Sequence, residues 1–179
     1  MRLFVGIGLP ESIAQALAGA ACQSVSLAPG SASRIRWTPP GSLHVTLSFL
    51  GQVEPARLEA IATALAGVVA SPLLLALDGL GLFADAGIAV AKVKPSPPLL
   101  VLAGKVVAAM ETCAIPPEKR PYQPHVTLAR AKGRLPLRIT RSEESAFTAS
   151  FDATEFRLYQ SHTLPQGAQH EVLRAFPLQ

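Results

Sequence analysis

His44-Val45-Thr46-Leu47 recurs, letter for letter, as His125-Val126-Thr127-Leu128 in the other half of a chain of 179 residues. Apolar and polar residues alternate through both copies, and around the first copy the alternation runs from Leu43 to Phe49. A period of two is typical of a half-buried strand, in which successive side chains point to opposite faces of the sheet. Each copy is therefore predicted to present an imidazole and a hydroxyl on a face that is not the core.

Two such strands carry the groups that paired proton transfer requires. Histidine titrates near neutral pH, so His44 and His125 can hold opposite protonation states at little cost. Displacement at phosphorus needs one proton taken and one given, on opposite sides of the reacting centre. The hydroxyls of Thr46 and Thr127 can donate hydrogen bonds to anionic oxygens. The doubled pattern thus favours chemistry on a phosphate ester.

Other kinds of site fit less well. Neither tetrapeptide contains a carboxylate or a cysteine, so the short-range ligand sets of metal sites are missing. The chain has no Walker-type loop and no Gly-x-Ser-x-Gly elbow. His162 and His170 lie outside the repeated motif, and we expect them to be structural or surface residues.

The composition indicates a folded protein with a sizeable core, since hydrophobic residues make up 49% of the chain. We expect one domain, or two small lobes sharing one architecture. No apolar run approaches the roughly 20 residues of a membrane span, so no membrane association is expected. Cys22 and Cys113 have no metal-type spacing, and the simplest interpretation is a reducing cytoplasm without disulfides.

The charge of the chain is unevenly distributed. The net charge is +4, but the segment from Lys119 to Arg141 holds seven basic residues and no acidic one. This segment contains the second tetrapeptide. A basic surface favours partners that carry phosphate.

Helix and strand signals mix without strict βαβ alternation, which predicts an α+β fold with antiparallel sheets. Helices are predicted to start near Pro10, near Glu54 and at Ser96, with Ser96 as the cap of the third. Gly79, Gly81 and Gly87 are interpreted as punctuation between strands. The rough repetition of the pattern makes two pseudo-symmetric lobes a reasonable expectation.

With the tetrapeptides in place, the sequence resembles the two-histidine (2H) phosphoesterase superfamily, which is defined by two His-x-Thr-x motifs. Within it the chain is similar to the bacterial and archaeal RNA 2′,3′-cyclic phosphodiesterases, historically called 2′-5′ RNA ligases. The segments that carry the resemblance are Arg2–Val5, Arg36–Pro40, Leu43–Leu47, Phe49–Gly51, Pro124–Arg130 and Glu171–Leu173.

The resemblance implies a single domain over residues 1–179, built from two interleaved lobes that each contribute one motif. Antiparallel sheets would flank a central cleft, with helices on the outside. It also implies hydrolysis of an RNA or nucleoside 2′,3′-cyclic phosphate to a 2′-phosphomonoester, by a protein expected to be a monomer that needs neither metal nor nucleotide cofactor.

The resemblance assigns the roles of individual residues. His44 would be the proton donor to the departing 3′ oxygen, and His125 would be the proton acceptor that activates water. Thr46, Thr127 and Arg130 would bind the phosphate. Strict strand alternation places Arg130 on the face of Val126 and Leu128, so its role requires the strand to end or bulge first.

Two alternatives remain open at this point. The chain could bind RNA ends or phosphate without turnover, as the basic segment suggests. The same site could also support 2′-5′ RNA ligation or cleavage of 2′,5′ linkages.

Overall fold

The structure, a computed structural model, describes residues 1–26, 34–132, 137–140, 146–164 and 167–179. Over these residues the chain forms eleven strands, three α-helices and short 3₁₀ turns. The helices are α1 (Glu11–Ser24), α2 (Leu58–Ala66) and α3 (Pro97–Thr112). The strands are β1 (Arg2–Gly8), β2 (Val25–Ser26), β3 (Ile35–Trp37), β4 (His44–Gln52), β5 (Leu73–Phe83), β6 (Ile88–Val93), β7 (His125–Ala131), β8 (Arg138–Ile139), β9 (Thr148–Ala153), β10 (Glu155–Leu164) and β11 (Gly167–Pro177).

Nine of these strands form one antiparallel sheet, in the order β11-β10-β1-β4-β7-β6-β5-β9, with β3 paired to β7. We call β11, β10, β1 and β4 the first half of the sheet, and β7, β6, β5 and β9 the second half. The halves meet where β4 pairs with β7, and the pairing there consists of Val45 opposite Val126. The α+β prediction with antiparallel sheets is confirmed, and the two halves are joined into a continuous sheet.

The apolar phase of the repeated motif builds the core. Val45, Leu47, Val126 and Leu128 are each at most 3% exposed and belong to one hydrophobic cluster that extends through both halves. The helices cover this side of the sheet, and α3 contacts β4, β5 and α2. The opposite side, which carries the polar phase of the motif, is called the open face below.

The third helix shows how a predicted stripe becomes a packing surface. Leu99, Leu102, Val106 and Met110 recur at helical spacing, and all four are buried on one side of the helix. Ser96 occupies the N-cap position as predicted, but its side chain makes no capping hydrogen bond and its Oγ is buried without a partner among the described residues. Pro97 is the first helical residue, where its missing N–H needs no partner in a first turn.

Gly79 and Gly81 lie inside β5, so their interpretation as punctuation between strands is wrong. Gly79 has a φ of 76°, and the pairing of β5 with β6 shifts register between Leu77 and Leu80. A glycine tolerates this conformation at a bulge without interrupting the strand. Gly87 does lie between strands, because its backbone adopts the left-handed conformation at the turn before β6.

None of the helices in the described part of the chain is long and apolar enough to cross a membrane. Cys22 and Cys113 are both free thiols.

Candidate active site

The two histidines begin the two strands at which the halves of the sheet meet. His44 is the first residue of β4 and His125 is the first residue of β7. Val45 lies opposite Val126, so continuing this antiparallel register by one residue brings His44 opposite Thr127 and Thr46 opposite His125. The structure therefore brings all four predicted side chains to one place on the open face.

Each imidazole is held by a hydrogen bond to the backbone carbonyl two residues before it. Nδ1 of His44 lies 2.7 Å from the carbonyl oxygen of Ser42, and Nδ1 of His125 lies 2.7 Å from that of Gln123. A carbonyl can only accept, so each Nδ1 carries the proton and donates it. Nε2 of each ring is thereby left free to accept or deliver a proton.

His44 lies within an aromatic cluster. The Phe4 ring stacks on its imidazole with centroids 4.5 Å apart, and the Tyr159 ring stacks on Phe4 at 4.8 Å. Burial lowers the pKa of His44 from 6.5 to about 4, against the hydrogen bond to Ser42, which raises it. The positive forms of His170 and His125 lower the pKa further. Without a ligand His44 is therefore neutral at pH 7.

His125 has fewer aromatic neighbours. The ring of Phe83, at the end of β5, meets it edge-on with centroids 4.8 Å apart and an interplanar angle of 87°. Lys92 of β6 is the cross-strand partner of His125, and its side chain is exposed. The ammonium of Lys92 thus adds a cation to the surroundings of His125 that the sequence analysis did not single out.

Tyr122, just before β7, is hydrogen-bonded to the first motif. Its hydroxyl donates a hydrogen bond of 3.0 Å to the carbonyl oxygen of Thr46. Burial raises the pKa of Tyr122, so the phenol stays protonated and keeps donating. The hydrogen bond fixes the two motifs relative to each other across the junction of the halves.

A bulge in β7 decides the position of Arg130. Val90 pairs with Thr127 and Ala89 pairs with Ala129, so Leu128 has no partner in β6. Leu128 and Ala129 are both buried, and Arg130 returns to the exposed side. The bulge that the predicted role of Arg130 required is present, and it places the guanidinium on the open face with His125 and Thr127.

Arg2 of β1 is a further cation near Arg130. Desolvation of the Arg130 guanidinium lowers its pKa, and the charge of Arg2 lowers it further. Neither arginine forms an ion pair with an acidic side chain among the described residues. Cations collected without carboxylate partners are typical of a surface that receives an anion.

A concavity of the molecule lies away from the two histidines. A cavity of about 390 Å³ opens between α1 and the segment Trp37–Pro40, and neither His44 nor His125 lines it. Its walls are mainly apolar and carry no pair of titratable groups. The chemistry of the open face, and not this cavity, therefore locates the candidate site.

Comparison with known proteins gives the family. The sequence model of the 2′-5′ RNA ligase superfamily matches residues 10–164, which is most of the chain and includes both motifs. The chain belongs to the 2′-5′ RNA ligase superfamily. This confirms the resemblance to two-histidine phosphoesterases that was drawn from the motifs and their flanking segments.

Several relatives of this chain share the name RNA 2′,3′-cyclic phosphodiesterase. The RNA 2′,3′-cyclic phosphodiesterase of Archaeoglobus fulgidus is 28% identical, over 98% of this chain and 99% of that protein. The RNA 2′,3′-cyclic phosphodiesterase of Geobacillus stearothermophilus is 33% identical over 93% of this chain, which spans only 56% of that relative's length. A crystal structure of a protein from Thermus thermophilus is 29% identical with a TM-score of 0.77, covering 99% of this chain and 98% of the other.

Among the residues around the candidate site, His170 was missed by the sequence analysis. Its ring meets His44 edge-on with centroids 5.0 Å apart and also meets the Phe4 ring at 4.9 Å. Burial lowers the pKa of His170, and the charges of Arg2 and His162 act in the same direction. Nothing in the sequence of β11 indicated that it would bring a histidine to His44. His162, in contrast, pairs with Glu171 at 3.0 Å on an exposed surface.

Proposed function

We propose that this protein hydrolyses RNA or nucleoside 2′,3′-cyclic phosphates to 2′-phosphomonoesters by paired general acid–base catalysis. The observation that carries the proposal is the pairing of β4 with β7, which sets His44 and His125 at diagonal positions across the two strands, each with its Nδ1 bonded to a carbonyl and its Nε2 free. The names of the relatives support the choice of substrate.

The proton transfers divide between the two histidines. Nε2 of His125 takes a proton from water, whose oxygen then attacks phosphorus. The bond from phosphorus to the 3′ oxygen breaks, and His44 delivers a proton from Nε2 to that oxygen. The 2′ ester bond remains, so the product is a 2′-phosphomonoester.

His44 must gain a proton before it can act as the donor. Its pKa of about 4 leaves it neutral at pH 7 in the free protein. A cyclic phosphate is an anion, and an anion close to the imidazole favours the charged form and raises the pKa. Binding of the substrate thus favours protonation of His44, which can then donate the proton to the departing 3′ oxygen.

The remaining polar groups hold the phosphate. Thr46 lies beside both histidines, two residues from His44 along β4 and across from His125 in the continued register. Thr127 has the matching place on β7. Their hydroxyls donate to the non-bridging oxygens, and Arg130 adds charge from the bulged end of β7.

The whole chain, residues 1–179, serves as one unit in this proposal. The first half of the sheet supplies His44 and the second half supplies His125. The lobes are interleaved, since β10 and β11 come last in the chain and lie in the first half. We propose that the protein acts as a monomer in the cytoplasm, because the two halves of one chain supply both histidines. We also propose that it needs no cofactor, because the proton transfers need only imidazoles.

A second candidate, binding of RNA ends or phosphate without turnover, is favoured by the basic segment that surrounds the second motif. Lys119, Arg120, Lys132 and Arg138 are exposed. Arg134 and Arg141 lie outside the described residues. Ligation or 2′,5′ cleavage at the same site is the third candidate.

Product analysis separates these candidates. Adenosine 2′,3′-cyclic phosphate and a short RNA with a 2′,3′-cyclic end are incubated with the protein, and products are identified by ³¹P NMR and chromatography. The proposal predicts adenosine 2′-phosphate with multiple turnovers. Tight, salt-dependent RNA binding with no hydrolysis of either compound would favour the second candidate and overturn the proposal. Joined RNA, or cleavage confined to 2′,5′ linkages, would favour the third.

A further inference from the structure

The two copies of the tetrapeptide contain the same irregularity. In β4, Gly6 pairs with Thr46 and Val5 pairs with Ser48, so Leu47 has no partner in β1. In β7, as described above, Leu128 has no partner in β6. Both bulges fall on the final leucine of the motif. Each therefore returns the fifth residue after the histidine to the open face.

The fifth residue differs between the copies. It is Arg130 in the second copy and Phe49 in the first. All seven phenylalanines lie in the described part of the chain, and Phe49 is the only one that is exposed, at 45%. One half of the sheet thus offers a cation at this position, and the other offers an aromatic ring to solvent.

Phe49 is near the reacting groups. The Phe4 ring lies 6.2 Å from that of Phe49 and 4.5 Å from the imidazole of His44. Phe4 itself is only 3% exposed, because its neighbours cover it. Phe4 is thus a neighbour of both His44 and Phe49, so Phe49 lies within reach of the base of a nucleotide whose phosphate is at His44.

From this geometry we propose that Phe49 is the stacking platform for the nucleobase of the nucleotide whose cyclic phosphate reacts. The inference rests on the proposed function and deepens it by assigning the place of the base. Every base presents a π-face, so an aromatic platform favours nucleotides over base-free phosphates and is tolerant of base identity. The phosphate lies towards Arg130 and the base lies towards the first half of the sheet.

The test compares substrates with and without a base. Adenosine and cytidine 2′,3′-cyclic phosphates are compared with methyl riboside 2′,3′-cyclic phosphate, which keeps the ribose and the ring phosphate. The variants are Phe49→Leu, which keeps apolar bulk but loses the π-face, and Phe49→Trp, which keeps it. Leu100→Ala on α3 is the control, because Leu100 is also 45% exposed and lies on a helix.

Loss of the platform should appear in KM. Phe49→Leu is expected to raise KM for both nucleoside substrates by roughly 10-fold or more, with kcat within about twofold of wild type. Phe49→Trp should retain the wild-type KM, and the base-free substrate should respond to neither change. Unchanged KM for the nucleosides, or an equal loss on the base-free substrate, would overturn the assignment.

A binding experiment keeps this test separate from the proposed function. If the wild-type protein turned over none of these substrates, the proposed function would fail, and calorimetric binding of adenosine 2′-monophosphate and of inorganic phosphate would then test the platform. Phe49→Leu should weaken binding of the nucleotide and leave binding of phosphate unchanged. Equal effects on both ligands would overturn the platform by itself.

Discussion

His44 and His125 share a sequence motif, a backbone hydrogen bond and a place at the head of a strand, yet their surroundings differ. His44 is enclosed by Phe4 and His170, whereas His125 faces the edge of Phe83. Alternation predicted the face on which each histidine lies. It could not predict this asymmetry, because the neighbours come from strands β1, β5 and β11, which are distant in the sequence. The difference in enclosure sets the proton affinity of His44.

The low pKa of His44 has a consequence for stability. Its pKa is 6.5 as an unperturbed group and about 4 in the folded protein. Between these values the unfolded chain binds a proton that the folded chain does not, so stability falls as the pH falls from 6.5 towards 4. The slope is at most about 1.4 kcal/mol per pH unit. Above the unperturbed pKa this contribution vanishes.

His44→Phe keeps a ring against Phe4 and removes the titration. Urea unfolding measured from about pH 7 to about pH 5 should show a shallower loss of stability in the variant than in the wild type. The difference between the two losses should reach up to about 2 kcal/mol at the lower pH. Parallel losses would show that burial of the imidazole does not disfavour its charged form.

At the scale of the strands, two features of the pairing shape the site. The bulges at Leu47 and Leu128 set which later side chains reach the open face. The second feature is the close approach of β1 to β4 beside His44. The sequence predicted both motif strands, but a bulge depends on the partner strand and leaves no periodic signal of its own. This is why strict alternation placed Arg130 on the wrong face.

Gly6 permits the close approach of β1 to β4. A Cβ at this position would lie 2.8 Å from the carbonyl oxygen of Val45 and 3.4 Å from Cδ2 of His44. Gly6→Ala is therefore expected to destabilise the protein by roughly 1–3 kcal/mol and to lower turnover by displacing the imidazole. Urea unfolding and kcat measured on the same preparation test both effects.

Gly104→Ala provides the matched control. Gly104 lies on α3, and a Cβ there would meet nothing within 4 Å. This change should leave turnover unaltered and stabilise the helix by up to about 1 kcal/mol. Equal stability and activity of the two alanine variants would contradict the steric role of Gly6.

The whole molecule joins its halves through a short contact. The sheet passes from β4 to β7 at Val45 and Val126, and the core cluster is continuous beneath it. The α+β class and a pseudo-symmetric pair of halves could be predicted from the repeated motif and the mixture of elements. The interleaving was implied by the family resemblance alone, since periodicity does not encode the partners of β10 and β11. His170 reaches the site only through that interleaving.

The central claim is that the two halves act on one phosphate as a pair. A double-mutant cycle tests it, with kcat/KM on adenosine 2′,3′-cyclic phosphate measured for wild type, His44→Ala, His125→Ala and the double variant. Each single change should cost roughly 10²–10⁴ in rate, and the double variant should be no worse than about the poorer single one. Near-normal turnover in either single variant, or losses that multiply in the double variant, would contradict the claim.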